Sequence, residues 1–139
     1  MSLCVLAGGK VTTLAISAFT LAWTHSVQHT RWEEDWRVTE GGLQLVEARV
    51  KGSGAGMEPP PHAVLKGGWW SYVPEVPPLP ELVLAASGRT DGGWQLCATG
   101  ECTTLGAVAG EPVRLAPCEG ATGPWSGVSA APVRDDPRS

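Results

Sequence analysis

The sequence predicts an all-β fold: a small antiparallel β-sandwich or partly open barrel of about eight to ten short strands, with a disordered C-terminal tail. Three observations carry this expectation. The 139 residues include 18 glycines and 12 prolines, a density of helix breakers that excludes a bundle or coiled coil. Residues 19–27 and 29–38 alternate with period two, the mark of half-buried strands. Turn-forming clusters of Gly, Pro, Ser and Thr residues separate the remaining short apolar runs. Hydrophobic residues make up 42% of the chain, enough for one core.

The elements follow in order. Ser2–Ala7 is an apolar strand, Gly8-Gly9 turns the chain, and Val11–Ile16 returns. In Phe19–Val27, the residues Phe19, Leu21, Trp23, His25 and Val27 share one face. In the next segment His29, Arg31, Glu33, Asp35 and Arg37 form a polar face. Thr30, Trp32, Glu34, Trp36 and Val38 form the other, so Glu34 points inward between two tryptophans. A loop at Glu40-Gly41-Gly42 leads into Leu43–Val50. It sets Trp36 opposite Val46, Glu34 opposite Ala48 and Trp32 opposite Val50.

Residues 51–61 read as irregular. Trp69–Tyr72 is a short aromatic strand, and only one of Trp69 and Trp70 can face inward. Pro74–Pro80 reads as a polyproline II-like connector. Glu81–Ser87 is a strand and Gly88–Gly93 a turn. Trp94–Ala98 and Cys102–Gly106 form a hairpin around Thr99-Gly100, and Pro112–Cys118 is the last strand. The expected domain spans residues 1–118, and residues 119–139 read as a flexible tail.

The formal net charge is −4, and no basic stripe marks a nucleic-acid surface. The longest weakly polar run, Val11–Trp23, falls short of the about 20 apolar residues of a spanning helix. No basic segment precedes an apolar stretch at the N-terminus. The expectation is a cytoplasmic chain, or a periplasmic one if the start site is misassigned.

Four constellations are candidates for chemistry. His25 and Glu34 lie on inward faces of adjacent strands; a hairpin through Val27–Thr30 sets Glu34 opposite Trp23 or His25. A carboxylate between indoles needs a partner. His25 is the expected one, with Thr24, Ser26 and Arg49 as lesser candidates. The pair reads either as a proton-transfer or binding device or as a buried network that fixes register. The second constellation is Gly52-Ser53-Gly54-Ala55-Gly56-Met57, whose free N–H groups suit an anion such as a small carboxylate. It also reads as a bulge-rich connection, and it matches neither a Walker nor a dinucleotide motif.

The third is the cysteine set. Cys97 and Cys102 become opposed partners across a two-residue turn. Cys4 and Cys118 lie near the two ends of the globular part, and the preferred pairing is 97–102 with 4–118. Zinc competes, but Cys-x4-Cys is long for a zinc knuckle and no second close pair exists. The fourth is the set of seven tryptophans, of which Trp23, Trp32 and Trp36 read as core. No catalytic set, metal or cofactor is assigned.

The strings Phe19–Val27, Trp32–Val38, Gly52–Pro60 and Trp94–Cys97 resemble a small bacterial family, domain of unknown function 1850. The likeness runs from about Ser2 to Cys118. Its most specific strings are Thr24-His25-Ser26-Val27 and Gly-Ser-Gly-Ala-Gly-Met. The resemblance implies an accessory role beside TRAP transporters of the TAXI type, which take up organic acids. It implies no activity. The reading is a non-enzymatic accessory or binding module, with transporter components as partners. The alternative is a small enzyme or metal-dependent binder built on His25, Glu33 and Glu34.

Overall fold

The computed structural model describes residues 2–24, 30–51, 62–86 and 93–119. Among them are eleven strands: β1 (Ser2–Ala7), β2 (Lys10–Leu14), β3 (Ala18–Thr24), β4 (Arg31–Thr39), β5 (Gly42–Lys51), β6 (Val64–Lys66), β7 (Trp69–Tyr72), β8 (Leu82–Leu84), β9 (Trp94–Ala98), β10 (Glu101–Leu105) and β11 (Val113–Cys118). All pair antiparallel, in a four-stranded sheet β2-β1-β11-β8 and a seven-stranded sheet β10-β9-β3-β4-β5-β7-β6. The strand count exceeds the sequence expectation because Val64–Lys66 pairs with β7 across Gly67-Gly68. A three-residue strand is too short to show alternation. The segment expected at Glu81–Ser87 keeps only β8 as strand. The Gly52–Met57 string and the tail from residue 120 lie outside the described residues.

The two sheets enclose one apolar core. The small sheet contributes Leu3, Val5, Leu84, Val113 and Leu115; the large sheet contributes Phe19, Leu21, Trp36, Val38, Leu43, Leu45 and Leu96. Strand β1 lies beside β11, which joins the two ends of the described chain in one sheet. Cys4 and Cys118 are disulfide-linked there, with Cα atoms 5.8 Å apart. They lie on the face of the small sheet away from the main core, beside Leu6 and Ala116. Cys97 and Cys102 face each other on the β9–β10 hairpin, with Cα atoms 4.0 Å apart, and are also linked.

The β4–β5 hairpin carries the sharpest departure from the expected register. Trp32–Val50 and Glu34–Ala48 pair as expected, but a bulge follows Asp35 and Trp36 pairs with Leu45 instead of Val46. The turn is accordingly the two-residue Glu40-Gly41, with Thr39 opposite Gly42. The cause is parity. Leu43 and Leu45 are odd-numbered and Ala48 and Val50 even-numbered, yet all four are buried. Only an extra residue, Val46, puts both pairs on one face. An unbulged strand would turn Gln44 inward and expose two leucines, at about 1.5–3 kcal/mol each.

The proline-rich connector crosses at the end of this hairpin. The Leu43 N–H donates to the Leu79 carbonyl at 2.7 Å, and the Leu79 N–H donates back at 2.9 Å. Gly42 sits beneath that crossing with φ +133°, where a Cβ would strike the Leu79 backbone. Gly42→Ala is therefore expected to cost about 1–3 kcal/mol in denaturant unfolding. Gly41→Ala is expected to stay within about 0.5 kcal/mol, because a Cβ there meets only the Thr39 hydroxyl, in ordinary contact at 3.9 Å.

The two disulfides close loops of very different length, with sequence separations of 114 and 5. On chain-entropy grounds, replacing Cys4 and Cys118 by alanine is expected to cost about 5 kcal/mol, against about 2 kcal/mol for the Cys97/Cys102 double variant. Thermal and denaturant melts of the two double variants check the order.

Candidate functional site

Strand β4 is the centre of the large sheet and separates its two glutamates, Glu33 and Glu34, onto opposite faces. Each face has its own chemistry.

On the core-directed face Glu34 is opposite Leu21 on β3 and Ala48 on β5. The expected placement against Trp23 or His25 is thus corrected. Trp23 pairs with Trp32, with ring centroids 6.1 Å apart and near-parallel planes, and Phe19 stacks on Trp36 at 6.5 Å. This register lays aromatic rings on aromatic rings, which outweighs a shorter connection between the strands. Trp94 closes on Trp23 from the other side at 4.8 Å. One row of the face therefore runs Trp94, Trp23, Trp32, Val50, Trp70 across four strand pairings.

The carboxyl of Glu34 accepts a hydrogen bond from the Trp36 indole N–H at 3.1 Å. Burial pushes its pKa above the ordinary 4.5, and the indole bond offsets this only in part. Tyr72, opposite Ala48, has its own pKa raised by burial and by the charge of Glu34. A desolvated carboxyl of this kind disfavours a second anion beside it. Thr24 ends β3 opposite Arg31. His25, Ser26 and the string Gly52, Ser53, Gly54, Ala55, Gly56 and Met57 lie outside the described residues.

The opposite face is a charge cluster around Arg49. Its guanidinium donates to Glu33 at 3.1 Å, to Asp35 at 2.8 Å and to Glu47 at 2.8 Å. The register sets Asp35 directly opposite Glu47, a like-charge pairing that costs stability unless bridged. Arg49 bridges it. Asp35 also accepts from the Thr20 hydroxyl at 2.8 Å, and its pKa lies below the ordinary 3.8, chiefly through Arg49. Arg31 donates to Gln95 at 3.0 Å. An open groove of about 460 Å3 borders the cluster, with Thr20, Asp35, Arg37, Val46, Cys97 and Thr99 along it.

The partners of both glutamates escaped the sequence reading. Trp36 lies two residues from Glu34 on the same strand face, a spacing that brings an indole N–H within reach of a carboxyl. Arg49 follows from the same pairing that puts Glu34 opposite Ala48, since its neighbours Glu33 and Arg49 must then oppose each other. Outward Trp69 is met by the Lys51 ammonium 5.7 Å from the ring centroid. Among the described residues no group of three His, Cys, Asp or Glu side chains is placed to hold a metal ion. No helix in them is long and apolar enough to cross a membrane.

The sequence model of one protein family, described as domain of unknown function (DUF1850), matches residues 19–105. The chain belongs to the DUF1850 family. The match is narrower than the Ser2–Cys118 likeness read from motifs. The DUF1850 region covers the strands of the large sheet, β3 from its second residue, and β8, whereas β1, β2 and β11 of the small sheet lie beyond it. Both glutamates and Arg49 fall inside it. No curated protein and no solved structure matches the chain.

The two faces respond to pH in opposite directions. The raised Glu34 value gives stability that is full below 4.5 and lost as pH rises through the folded value. The lowered Asp35 value gives stability present above 3.8 and lost as pH falls through the folded value. Glu34→Gln keeps an oxygen for the Trp36 indole and removes the charge. It is expected to be more stable than wild type at neutral pH, with the gap closing as pH falls through the raised folded value and gone below 4.5. Arg49→Met is expected to cost about 1–2 kcal/mol at neutral pH, and less as the acids protonate. Denaturant midpoints across pH read both effects.

Proposed function

We propose that this DUF1850 protein is a non-enzymatic accessory module that docks onto components of a TRAP–TAXI transport system in an oxidising compartment. The observation that carries the docking role is an exposed apolar edge on the large sheet. Val64 and Leu65 on edge strand β6 are 62% and 55% exposed, and Val73, just past its partner strand β7, is 57% exposed. An uncovered apolar edge strand is a template for another chain, and single domains rarely leave such residues grouped without a partner. The TRAP–TAXI assignment of that partner comes from the resemblance read in the sequence.

Two further observations support this reading. Glu33 and Glu34 sit on opposite faces of β4, each engaged by a local partner, so a metal-dependent site using both gains no support. All four cysteines are in disulfides, a state that persists in extracytoplasmic compartments.

Affinity capture of the full chain from membranes containing the transporter is the test. The permease subunits or the substrate-binding protein are expected to be retained. The variant Val64→Lys/Leu65→Lys is expected to lower retention by about tenfold while its melting curve stays close to wild type. Retention of no transporter component, or equal retention by the variant, overturns the reading.

A further inference from the structure

The edge strands of the two sheets, β2 and β10, border a common cleft of about 240 Å3. The register fixes which side chains face it. Lys10 pairs with Ala7, Thr12 with Val5 and Leu14 with Leu3. Directly opposed residues share a face, and Leu3 and Val5 belong to the main core. Lys10, Thr12 and Leu14 are therefore on the inner face of the small sheet. On the other side Thr103 pairs with Leu96 and Leu105 with Trp94. Leu96 is a core residue, so Thr103 and Leu105 also face inward.

The cleft thus combines an apolar floor with a polar rim. Val5, Leu14, Leu96 and Leu105 supply the floor; Lys10, Thr12 and Thr103 supply one ammonium and two hydroxyls. Among the described residues no carboxylate pairs with Lys10, whereas Arg31, Arg49 and Arg114 each meet an acid. A concave apolar surface with a few convergent polar groups is the usual make-up of a small-molecule site. Here the polar groups are a cation and hydroxyl donors, which complement a carboxylate. The volume is about eight times the ~30 Å3 share of a water molecule, and lies below the roughly 300–1,000 Å3 of drug-sized sites.

We infer that this cleft binds a small monocarboxylic acid with an apolar body, its short chain or single ring on the leucine floor and its carboxylate at Lys10, Thr12 and Thr103. The inference does not rest on transporter docking. The cleft and the β6 edge are at opposite ends of the large sheet, so either can fail while the other stands. Lys10 and Thr12 on β2 lie outside the DUF1850 match, whereas Leu96, Thr103 and Leu105 lie inside it.

The test is a titration of the full chain with hexanoate and benzoate, and with hexanol and benzyl alcohol as uncharged counterparts, followed by amide chemical shifts. Saturable shifts centred on Thr12, Thr103 and Leu105 are expected for the acids, with weaker binding of the alcohols. Lys10→Met is expected to weaken the acids at least about tenfold and leave the alcohols unchanged. Lys10 is exposed at a strand end, and Lys10→Arg, which keeps the charge, is expected to restore binding. An inward lysine on an edge strand also serves to block edge-to-edge pairing. If that is its whole role, the acids give no saturable shift, and the inference falls. It falls equally if Lys10→Met leaves acid affinity intact, or if the alcohols bind as tightly as the acids.

Discussion

The change of parity in β5 is the constraint on which the rest of the large sheet depends. Leu43 and Leu45 must face the core, and so must Ala48 and Val50, and a regular strand cannot deliver both pairs. The extra residue at Val46 reconciles them. Because of it, Trp36 meets Leu45 and Phe19 inside, while Asp35, Glu47, Glu33 and Arg49 remain together outside. The bulge residue itself lies along the outer groove. Bulges commonly re-aim side chains in this way.

The same constraint decides the electrostatics. Keeping the core in register brings Asp35 against Glu47 on the outer face and places Glu34 among aromatic rings on the inner one. The first conflict is resolved by a charge, Arg49, in a half-exposed setting where three carboxylates share one guanidinium. The second is resolved by a neutral donor, the Trp36 indole, which leaves the carboxyl with a raised pKa. One strand thereby carries two adjacent acids, Glu34 and Asp35, whose pKa values are moved in opposite directions by their surroundings. A shared catalytic or metal-binding role for Glu33 and Glu34 would require one face, and β4 gives them two.

The fold also sorts its candidate interaction surfaces by position. The small sheet ties the two ends of the described chain through β1 and β11 and their disulfide. The large sheet has two edges, β6 and β10. At one end β6 leaves valine and leucine side chains in solvent; at the other, β10 and β2 stand apart over an amphipathic cleft. A partner chain suits the first, a small acid the second.

Period-two alternation by itself determined the all-β class and the polar and apolar faces of β3 and β4, while the pairing of Trp32 with Val50 and Glu34 with Ala48 followed from a three-residue turn that the structure replaces by a two-residue turn and a bulge, whose offsets cancel. The class and the faces depend on neighbours in the chain, so local chemistry suffices for them. The bulge was signalled only by the shift from Leu43 and Leu45 to Ala48 and Val50, a parity change that a fixed hairpin register conceals. The β3–β4 register turned on how tryptophan and phenylalanine rings stack between strands, and this moved Glu34 from Trp23 or His25 to Leu21. The cleft was invisible at the level of sequence. Lys10 and Thr103 are far apart in the chain and look like ordinary surface residues of two short strands. Only the packing of one sheet on the other, which leaves those two edges unsealed, turns them toward the same space.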